Sequence, residues 1–250
     1  MPEDLKRRFS GLDRLWGDGT VDRLFASHVV VVGLGGVGSW SVETLARSGV
    51  GQITLIDFDQ IAESNINRQI HALTETLGMA KVDALKNRIL SIHPGCRVQI
   101  VEDFVTQDNL QTILPDEFDV LIDACDQFSA KLAMTSWALS RGKSLITVGA
   151  AGGKSRAELV KVNDLSAVTH DPILARLRRE VRKAHQLAQH QLIGVNCVYS
   201  QEPIRMDQSC ATGEVQLDRD LNCHGYGSFV GVTATFGLVA AGRAIEVILT

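Results

Sequence analysis

The segment that decides the fold runs from His28 to Gly38 and reads HVVVVGLGGVG. Its run of four valines is typical of a short strand that is buried on both faces. The six residues after this strand have the spacing GxGxxG, and a helix is predicted directly behind them over Ser39–Ser48. Glycines let the backbone turn tightly against a phosphate, and the amino end of the helix offers N–H groups to it. The segment predicts a nucleotide phosphate site at Gly33, Gly35, Gly36 and Gly38.

Strands and helices alternate through the first 150 residues. Short apolar runs predict further strands, and amphipathic stretches that end near Gly or Pro predict helices. The predicted strands are Gln52–Asp57, Arg97–Val101, Asp119–Asp123 and Ser144–Val148, and the predicted helices are Gly78–His93 and Lys131–Arg141. This alternation predicts the α/β class, with a Rossmann-like, mostly parallel sheet and helices on both faces.

The rest of the chain has a different pattern, and we expect three parts: a nucleotide-binding domain at 1–150, a crossover segment facing the substrate at 151–226, and an apolar C-terminal helix at 227–250 that returns to the core. In the second part we expect a strand at Glu158–Val162, a helix from Pro172 to about Gln189, and a long loop over 190–225. The apolar stretch 227–242 is shorter than the roughly 20 residues of a membrane span. We therefore expect a buried helix and no stable membrane association.

Composition narrows the functional class. The chain has 250 residues and a net charge of −4, so no overall basic field attracts it to nucleic acid or anionic lipid. Its five cysteines include no CxxC pair, which argues against a disulfide framework and a cysteine-type zinc site. The amino-terminal MPEDLKRRFS lacks the apolar run of a signal peptide, so a cytoplasmic protein is expected.

Charged and amide side chains surround the glycine motif in the sequence. Asp57 ends the second predicted strand, where a carboxylate is placed to accept ribose hydroxyls. Two cations, Arg68 and Lys81, follow it and favour a triphosphate over a nicotinamide dinucleotide. Asp126 follows the fourth strand, where ligands of parallel sheets bind, and is a candidate Mg²⁺ ligand. The full predicted ATP site adds Asp59, Asn65, Asn67 and Gln69.

The motifs GLGGVGS, DFD, NINRQ, GMAK and DACDQ occur in this order and resemble the adenylating superfamily that activates ubiquitin-like proteins. The resemblance implies a homodimer and formation of an acyl-adenylate from ATP. It implies that Gly35 and Gly36 contact phosphate, that Asp57 holds ribose and that Asp126 coordinates Mg²⁺. It also implies phosphate contacts from Asn65, Arg68 and Lys81.

The chain departs from the sulfur-carrier branch of that superfamily at two points. It lacks the two CxxC pairs of a zinc site, and Gly11 stands where that branch has an arginine that reaches the partner subunit's ATP. Arg8 and Arg14 are the candidates to replace this arginine. Both departures point to one subfamily, the tRNA threonylcarbamoyladenosine dehydratases. The chain also resembles this subfamily in the motifs RRFSGLDRLWG, EDFVT, GAAGGK, DPILARLR and NCVYSQE.

This second resemblance implies an ATP-dependent dehydratase that acts on threonylcarbamoyladenosine at position 37 of tRNA. Its threonine carboxylate is activated, and the neighbouring ureido group closes a ring with loss of water, a step that proximity favours. Whether ATP ends as AMP or ADP, and whether nitrogen or oxygen closes the ring, stays open. The resemblance also leaves open a monovalent cation and a cysteine desulfurase or sulfur-acceptor partner.

Three alternatives belong to other functional classes. The first is an adenylyltransferase for the C-terminal glycine of a ubiquitin-like sulfur carrier, against which the missing CxxC pairs argue. The second is an NAD-dependent oxidoreductase, against which Arg68, Lys81 and Asp126 argue. The third is a nucleotide-sensing scaffold without turnover, which the complete set of charged residues disfavours.

The second half of the chain holds two further candidate features. Cys197 and Cys223 are candidate thiols for a thioester, although idle or buried thiols are the commoner case. The predicted helix after Pro172 places five basic against two acidic residues over 171–190. One face of this helix is a candidate tRNA contact through phosphates, with the residues Arg176, Arg179, Arg182 and Lys183.

Overall fold

A computed structural model describes residues 3–204 and 226–250 of the chain. Seven strands form one sheet in the order β3-β2-β1-β4-β5-β7-β6. Every neighbouring pair is parallel except β6 and β7, which are antiparallel. The strands are β1 (His28–Val32), β2 (Gln52–Ile56), β3 (Arg97–Val101), β4 (Val120–Asp123), β5 (Ser144–Val148), β6 (Val160–Asp164) and β7 (Asn196–Ser200). The predicted α/β class and mostly parallel sheet are confirmed.

The helices cover both faces of the sheet. The helices are α1 (Glu3–Phe9), α2 (Gly11–Trp16), α3 (Thr20–Ala26), α4 (Gly38–Arg47), α5 (Lys81–Ile92), α6 (Leu110–Ile113), α7 (Phe128–Arg141), α8 (Pro172–Ala184) and α9 (Val230–Leu249). One apolar core includes α4, α5 and α9, and the other includes α7 and α8 on the opposite face.

The strand order reverses direction at β1, whose neighbours are β2 on one side and β4 on the other. The four valines of β1 are at most 3% exposed because helices cover both faces of this central strand. In sheets of this type, ligands bind beyond the carboxyl ends of the strands where the order reverses. The glycine segment that follows β1 lies at this position.

The structure corrects the prediction of one long loop over 190–225 in its first part, whereas residues 205–225 of that prediction lie outside the described residues. The residues of β7 form a strand inserted between β5 and β6, and four of its five residues are buried. Asp164 at the end of β6 fixes the approach to β7, because its carboxylate accepts hydrogen bonds from the N–H groups of Ile193, Gly194 and Val195. The predicted strand at Glu158–Val162 lies at Val160–Asp164 instead.

The helix predicted to run from Pro172 to about Gln189 ends earlier, at Ala184. Gln186 has a positive φ of 53°, which a continuing helix does not allow. Arg182 turns back at this end and donates hydrogen bonds to the carbonyls of Ala188 and Gln191. The shorter helix is therefore closed by one of its own arginines.

Helix α9 packs one small-residue face against α4, β4 and β5. Among the described residues it alone is long and apolar enough to cross a membrane, with a mean hydropathy of 1.6. Its buried side includes Phe236, Ala240 and Ala244, which are spaced by four residues, and Gly237. At the point of closest approach, Ser41 of α4 donates a hydrogen bond of 3.0 Å to the Gly237 carbonyl. These contacts are those of a core helix.

Candidate active site at the carboxyl edge of the sheet

The glycine segment makes a tight turn with an open outer side. Gly33 has a φ of +82°, and a Cβ there would lie 2.7 Å from the Cys125 backbone nitrogen. A Cβ on Gly38 would lie 1.8 Å from the Gly33 carbonyl oxygen, so neither position accepts a larger residue. At Gly35 the nearest atom would be 3.9 Å away, and this residue and Gly36 line a cavity. Gly33 and Gly38 therefore shape the turn, while Gly35 and Gly36 face the ligand space.

The three residues that lead into the amino end of α4, Gly35, Gly36 and Val37, line the same cavity. No side chain caps this helix end, and its first residue, Gly38, adds no side chain. The free N–H groups of a helix start and its positive dipole end attract an anion. The turn after β1 thus has the local geometry of a phosphate site.

Asp57, directly after β2, connects this turn to the neighbouring strand. Its Oδ2 accepts a hydrogen bond of 2.6 Å from the Leu34 N–H, and its Oδ1 accepts one of 2.8 Å from the Asp59 N–H. Burial raises the pKa of Asp57, although nearby Lys81 and the two backbone donors act in the opposite direction. Lys81 Nζ lies 2.6 Å from Asp59 Oδ2 and 3.8 Å from Asp57 Oδ1. The two carboxylates hold this buried ammonium group at the wall of the cavity.

The segment after β2 brings Arg68 and Asn67 to the cavity but turns Asn65 away from its lining. Arg68 donates to the Ser64 carbonyl and to Asn67 Oδ1, and its aliphatic part lies against Gly36. Asn65 Oδ1 instead accepts the Ala62 N–H and stabilises the local turn. The predicted site residues that line the cavity are Gly33, Gly35, Gly36, Asp57, Asp59, Asn67, Arg68, Lys81 and Asp126, whereas Gly38, Asn65 and Gln69 do not.

The ends of β4 and β5 form the opposite wall of this cavity, whose volume is about 470 Å³. Asp126 lies there, in the four-residue loop between β4 and α7. Lys131 and Cys125 line the same wall. Burial, and then the neighbouring Asp123, raise the pKa of the Cys125 thiol well above its usual value, so this side chain stays protonated at neutral pH.

Two aromatic residues of the site have no place among the sequence-predicted residues. Phe58 and Phe104 line the cavity with ring centroids 4.6 Å apart, and each ring is about half exposed. Such a pair offers an apolar face to a flat ring. Phe58 follows Asp57 in the DFD motif and Phe104 belongs to EDFVT, so both aromatic residues lie within motifs that carry the family resemblance.

Comparisons with known proteins agree with this geometry. The ThiF family matches residues 9–250. The chain is 36% identical to the tRNA threonylcarbamoyladenosine dehydratase of Haemophilus influenzae, over 99% of this chain and 95% of that protein. It is 38% identical to the Escherichia coli protein of the same name, over 96% and 93%. The chain belongs to the ThiF family and, within it, to the tRNA threonylcarbamoyladenosine dehydratases.

The fold of this ThiF-family chain matches a solved relative closely. The structure of the Escherichia coli tRNA N6-threonylcarbamoyladenosine dehydratase in complex with ATP superimposes with a TM-score of 0.86 and 37% identity, covering 97% of this chain and 94% of that one. A molybdopterin-synthase adenylyltransferase of Haemophilus influenzae is 35% identical over only 42% of the chain. The similarity to the dehydratases therefore extends over nearly the whole chain, whereas the similarity to this adenylyltransferase covers less than half of it.

The basic residues of α8 have different surroundings in this ThiF-family structure. Arg179 and Lys183 are exposed on its outer side. Arg176 lies over the ring of Phe128, with its Cζ 4.0 Å from the ring centroid, next to the Asp126 loop. Arg182 is occupied at the helix end, as described above. The structure thus places a basic surface beside the cavity, formed by Arg176, Arg179 and Lys183.

The candidate thiols and N-terminal arginines have different positions. Cys197 is fully buried on β7, and burial raises the pKa of its thiol well above the usual value. Cys223 lies outside the described residues. Arg8 donates a hydrogen bond of 3.0 Å to the Ile92 carbonyl at the end of α5, whereas Arg14 is exposed on α2.

Proposed function

We propose that this chain uses ATP to activate the threonine carboxylate of threonylcarbamoyladenosine at position 37 of tRNA, and that ring closure then removes one water. One observation carries the proposal. A phosphate turn, two cations and Asp126 surround a single cavity, in a chain that spans nearly the full length of proteins named for this dehydration.

We place the ATP phosphates against Gly35 and Gly36, at the amino end of α4. Solved relatives that are 37% identical hold ATP and AMP, which supports this nucleotide class. Arg68 and Lys81 contact the outer phosphates, since both cations line the cavity. Asp57 and Asp59 accept the ribose hydroxyls, and Phe58 and Phe104 pack against adenine. Asn65 acts from behind the lining, because its Oδ1 accepts the Ala62 N–H and holds the turn that leads to Arg68.

The cavity also fits Mg²⁺. Among residues 3–204 and 226–250, no group of three or more His, Cys, Asp or Glu side chains forms a complete metal site. Mg²⁺ bound with a nucleotide needs only one or two carboxylates, because phosphate oxygens and water complete its shell. Asp126 supplies such a carboxylate at the cavity wall. When bound, Mg²⁺ neutralises the charge that develops on the phosphates.

The proposed chemistry begins with attack of the substrate carboxylate on the α-phosphorus, which forms an acyl-adenylate and releases pyrophosphate. A nucleophilic atom of the ureido group then attacks the activated carbonyl and loses its proton, and AMP departs with one carboxylate oxygen. Arg68 and Lys81 hold the leaving phosphates, and the sheet edge keeps the reactants oriented. The chain needs no cysteine nucleophile for this route because the nucleophile and the electrophile belong to the same substrate.

The partners follow from the same proposal. We place tRNA on the basic surface of α8, a helix whose Ile173 lines the cavity and whose Arg176 lies over Phe128. We also propose that the chain is a cytoplasmic homodimer, with Arg14 reaching the partner's site because Arg8 is occupied within its own subunit. The monovalent cation and a cysteine desulfurase or sulfur-acceptor partner stay predictions from the resemblance, as does a role for Cys223.

Oxygen transfer tests the route. Modified tRNA carrying ¹⁸O in the threonine carboxylate is incubated with the protein, ATP and Mg²⁺, and the nucleotide products are analysed by mass spectrometry. We expect one labelled oxygen in AMP for each ring that closes. Label in inorganic phosphate, released together with unlabelled ADP, or label in water would contradict adenylation as the activating step.

A further inference from the structure

A buried ion pair lies beneath the proposed metal site. The ammonium group of Lys131 is 2.9 Å from Asp123 Oδ2, and the two side chains are 1% and 0% exposed. Asp123 is the last residue of β4, and Lys131 lies in the first turn of α7. The pair therefore joins the two ends of the loop that carries Asp126.

The Asp123 carboxylate accepts hydrogen bonds from several elements of the fold. Thr147 of β5 donates a hydrogen bond of 2.5 Å to Oδ2, beside the one from Lys131. The backbone N–H of Cys125 donates to Oδ1 at 3.2 Å, and its thiol contacts the same oxygen at 2.8 Å. One carboxylate thus binds β5, α7 and the loop itself.

This network is poorly explained by stability alone. Moving a carboxylate and an ammonium out of water carries a large desolvation penalty, and apolar residues of similar volume often stabilise a fold equally well. Well-satisfied buried ionic groups fix geometry more strongly than apolar contacts do, because each hydrogen bond has a preferred direction. A network at both ends of a four-residue loop is placed to fix that loop.

We infer that Asp123, Lys131 and Thr147 are positioning residues that hold the Asp126 carboxylate in place for Mg²⁺-bound nucleotide. The inference rests on the proposed function, which assigns Asp126 to the metal. Lys131 lines the cavity itself, whereas Asp123 and Thr147 do not and reach the ligand space through Lys131 and the loop between β4 and α7. We therefore expect loss of the Thr147 hydroxyl to act on the contribution of the metal to nucleotide binding.

Calorimetric titration with ATP tests this role without measuring turnover. Each variant is titrated once with excess Mg²⁺ and once with EDTA, and the ratio of the two affinities gives the metal-dependent gain. For Thr147→Val we expect this gain to fall about tenfold, with metal-free affinity unchanged. Thr147→Ser keeps the hydroxyl and should restore the gain. Cys125→Ala removes only the thiol contact and should reduce the gain less than Thr147→Val does.

Two results would overturn the inference. A metal-dependent gain in Thr147→Val equal to that of the wild type would show that the network does not position Asp126. Equal losses with and without Mg²⁺ would show a general structural defect instead. Asp126→Asn distinguishes the assignment of Asp126 to the metal from the positioning role of the network. If it keeps the full gain, the metal assignment itself fails; if it removes the gain while Thr147→Val does not, only the positioning role fails.

Discussion

The carboxylate of Asp57 accepts a 2.6 Å hydrogen bond from the backbone N–H of Leu34, inside the glycine turn. The residue at the end of β2 thereby fixes the turn at the end of β1. The resemblance assigns Asp57 to the ribose, and this bond adds a second role, in which the same carboxylate holds the phosphate turn in shape before any nucleotide arrives.

Asp57→Asn should therefore weaken both folding and ATP binding. An amide has one acceptor oxygen, so one of the two backbone N–H donors loses its partner, at a cost of about 1–3 kcal/mol. Urea unfolding and calorimetry with ATP measure the two effects. Asp59→Asn is the matched control for stability, because this side chain is 60% exposed and its amide oxygen can still accept a hydrogen bond from the Lys81 ammonium group. Equal losses of stability in the two variants would argue against the anchoring role.

Two glycines of α9 should respond in opposite ways to the same substitution. A Cβ on Gly237 would lie 2.4 Å from the Val37 carbonyl oxygen and 2.7 Å from Trp40 Cβ, whereas Gly242 has no atom within 4 Å of this position. We expect Gly237→Ala to destabilise the fold by about 1–3 kcal/mol through overpacking against α4. Gly242→Ala should stabilise it by about 0.5–1 kcal/mol through helix propensity.

Thermal and urea unfolding of the two alanine variants compare these effects directly. Because the helix, the substitution and the added volume are the same, only the environment differs. If Gly237→Ala is as stable as Gly242→Ala, α9 does not pack on α4 at this distance.

His71 should make the fold sensitive to acid. Its ring is 2% exposed, and burial, followed by Lys81 and Arg88, lowers its pKa from 6.5 to about 4. The unfolded chain takes up a proton below pH 6.5, whereas the folded chain does so only near pH 4. The contribution of this group to stability is therefore complete above pH 6.5 and is lost as the pH falls towards 4.

Between pH 7.5 and pH 5 this residue should account for about 2 kcal/mol of lost stability. His71→Leu removes the titrating group, so the variant should lose less stability than the wild type over this range in urea unfolding experiments. Parallel pH profiles for the two proteins would refute the assignment.

The basic surface of α8 should contribute to tRNA binding. Replacing Arg179 and Lys183 by Gln removes two exposed cations beside the cavity and should reduce both the affinity and its salt dependence. Arg97→Gln with Lys161→Gln is the matched control, since both residues are exposed on the two edge strands of the sheet. Filter binding with the modified tRNA at several salt concentrations measures the change. Equal effects of the two double variants would mean that only net charge matters.

The residues of the cavity wall should govern turnover more than folding. Asp126→Ala and Arg68→Ala each remove a group that we place on the phosphates, and we expect activity to fall by about 10²–10³-fold or more. Urea unfolding should show folded proteins in both cases. Turnover like that of the wild type in either purified variant would contradict the site assignment.

Local patterns were sufficient to predict much of the fold. The valines of β1, the glycine turn and the alternation of strands and helices depend on residues that are close in sequence, so periodicity and turn chemistry reveal them. The strand β7 was missed because its five residues pair with β5 and β6 across long separations. Its nearly continuous burial also gives no alternating pattern.

The candidate site, like the fold, could be predicted from the sequence in part. It was possible to predict that Asp57, Arg68, Lys81 and Asp126 lie around one cavity, because charged residues follow strands whose ends meet at one edge. The aromatic pair Phe58 and Phe104 depends on the approach of two loops that follow β2 and β3, and no local pattern encodes that distance. The bond between Asp123 and Lys131 was likewise not predicted, because a sequence does not show which of two nearby carboxylates turns inward.

Cyclisation of the modified nucleoside is the most direct test of the proposed dehydratase activity. Purified protein is incubated with ATP, Mg²⁺ and tRNA that carries threonylcarbamoyladenosine, and the digested nucleosides are weighed by mass spectrometry, with Asp126→Ala and a reaction without ATP as controls. We predict that the nucleoside loses the mass of one water only when the wild-type protein and ATP are both present. An unchanged nucleoside, together with adenylation of a ubiquitin-like sulfur carrier by the same preparation, would contradict it.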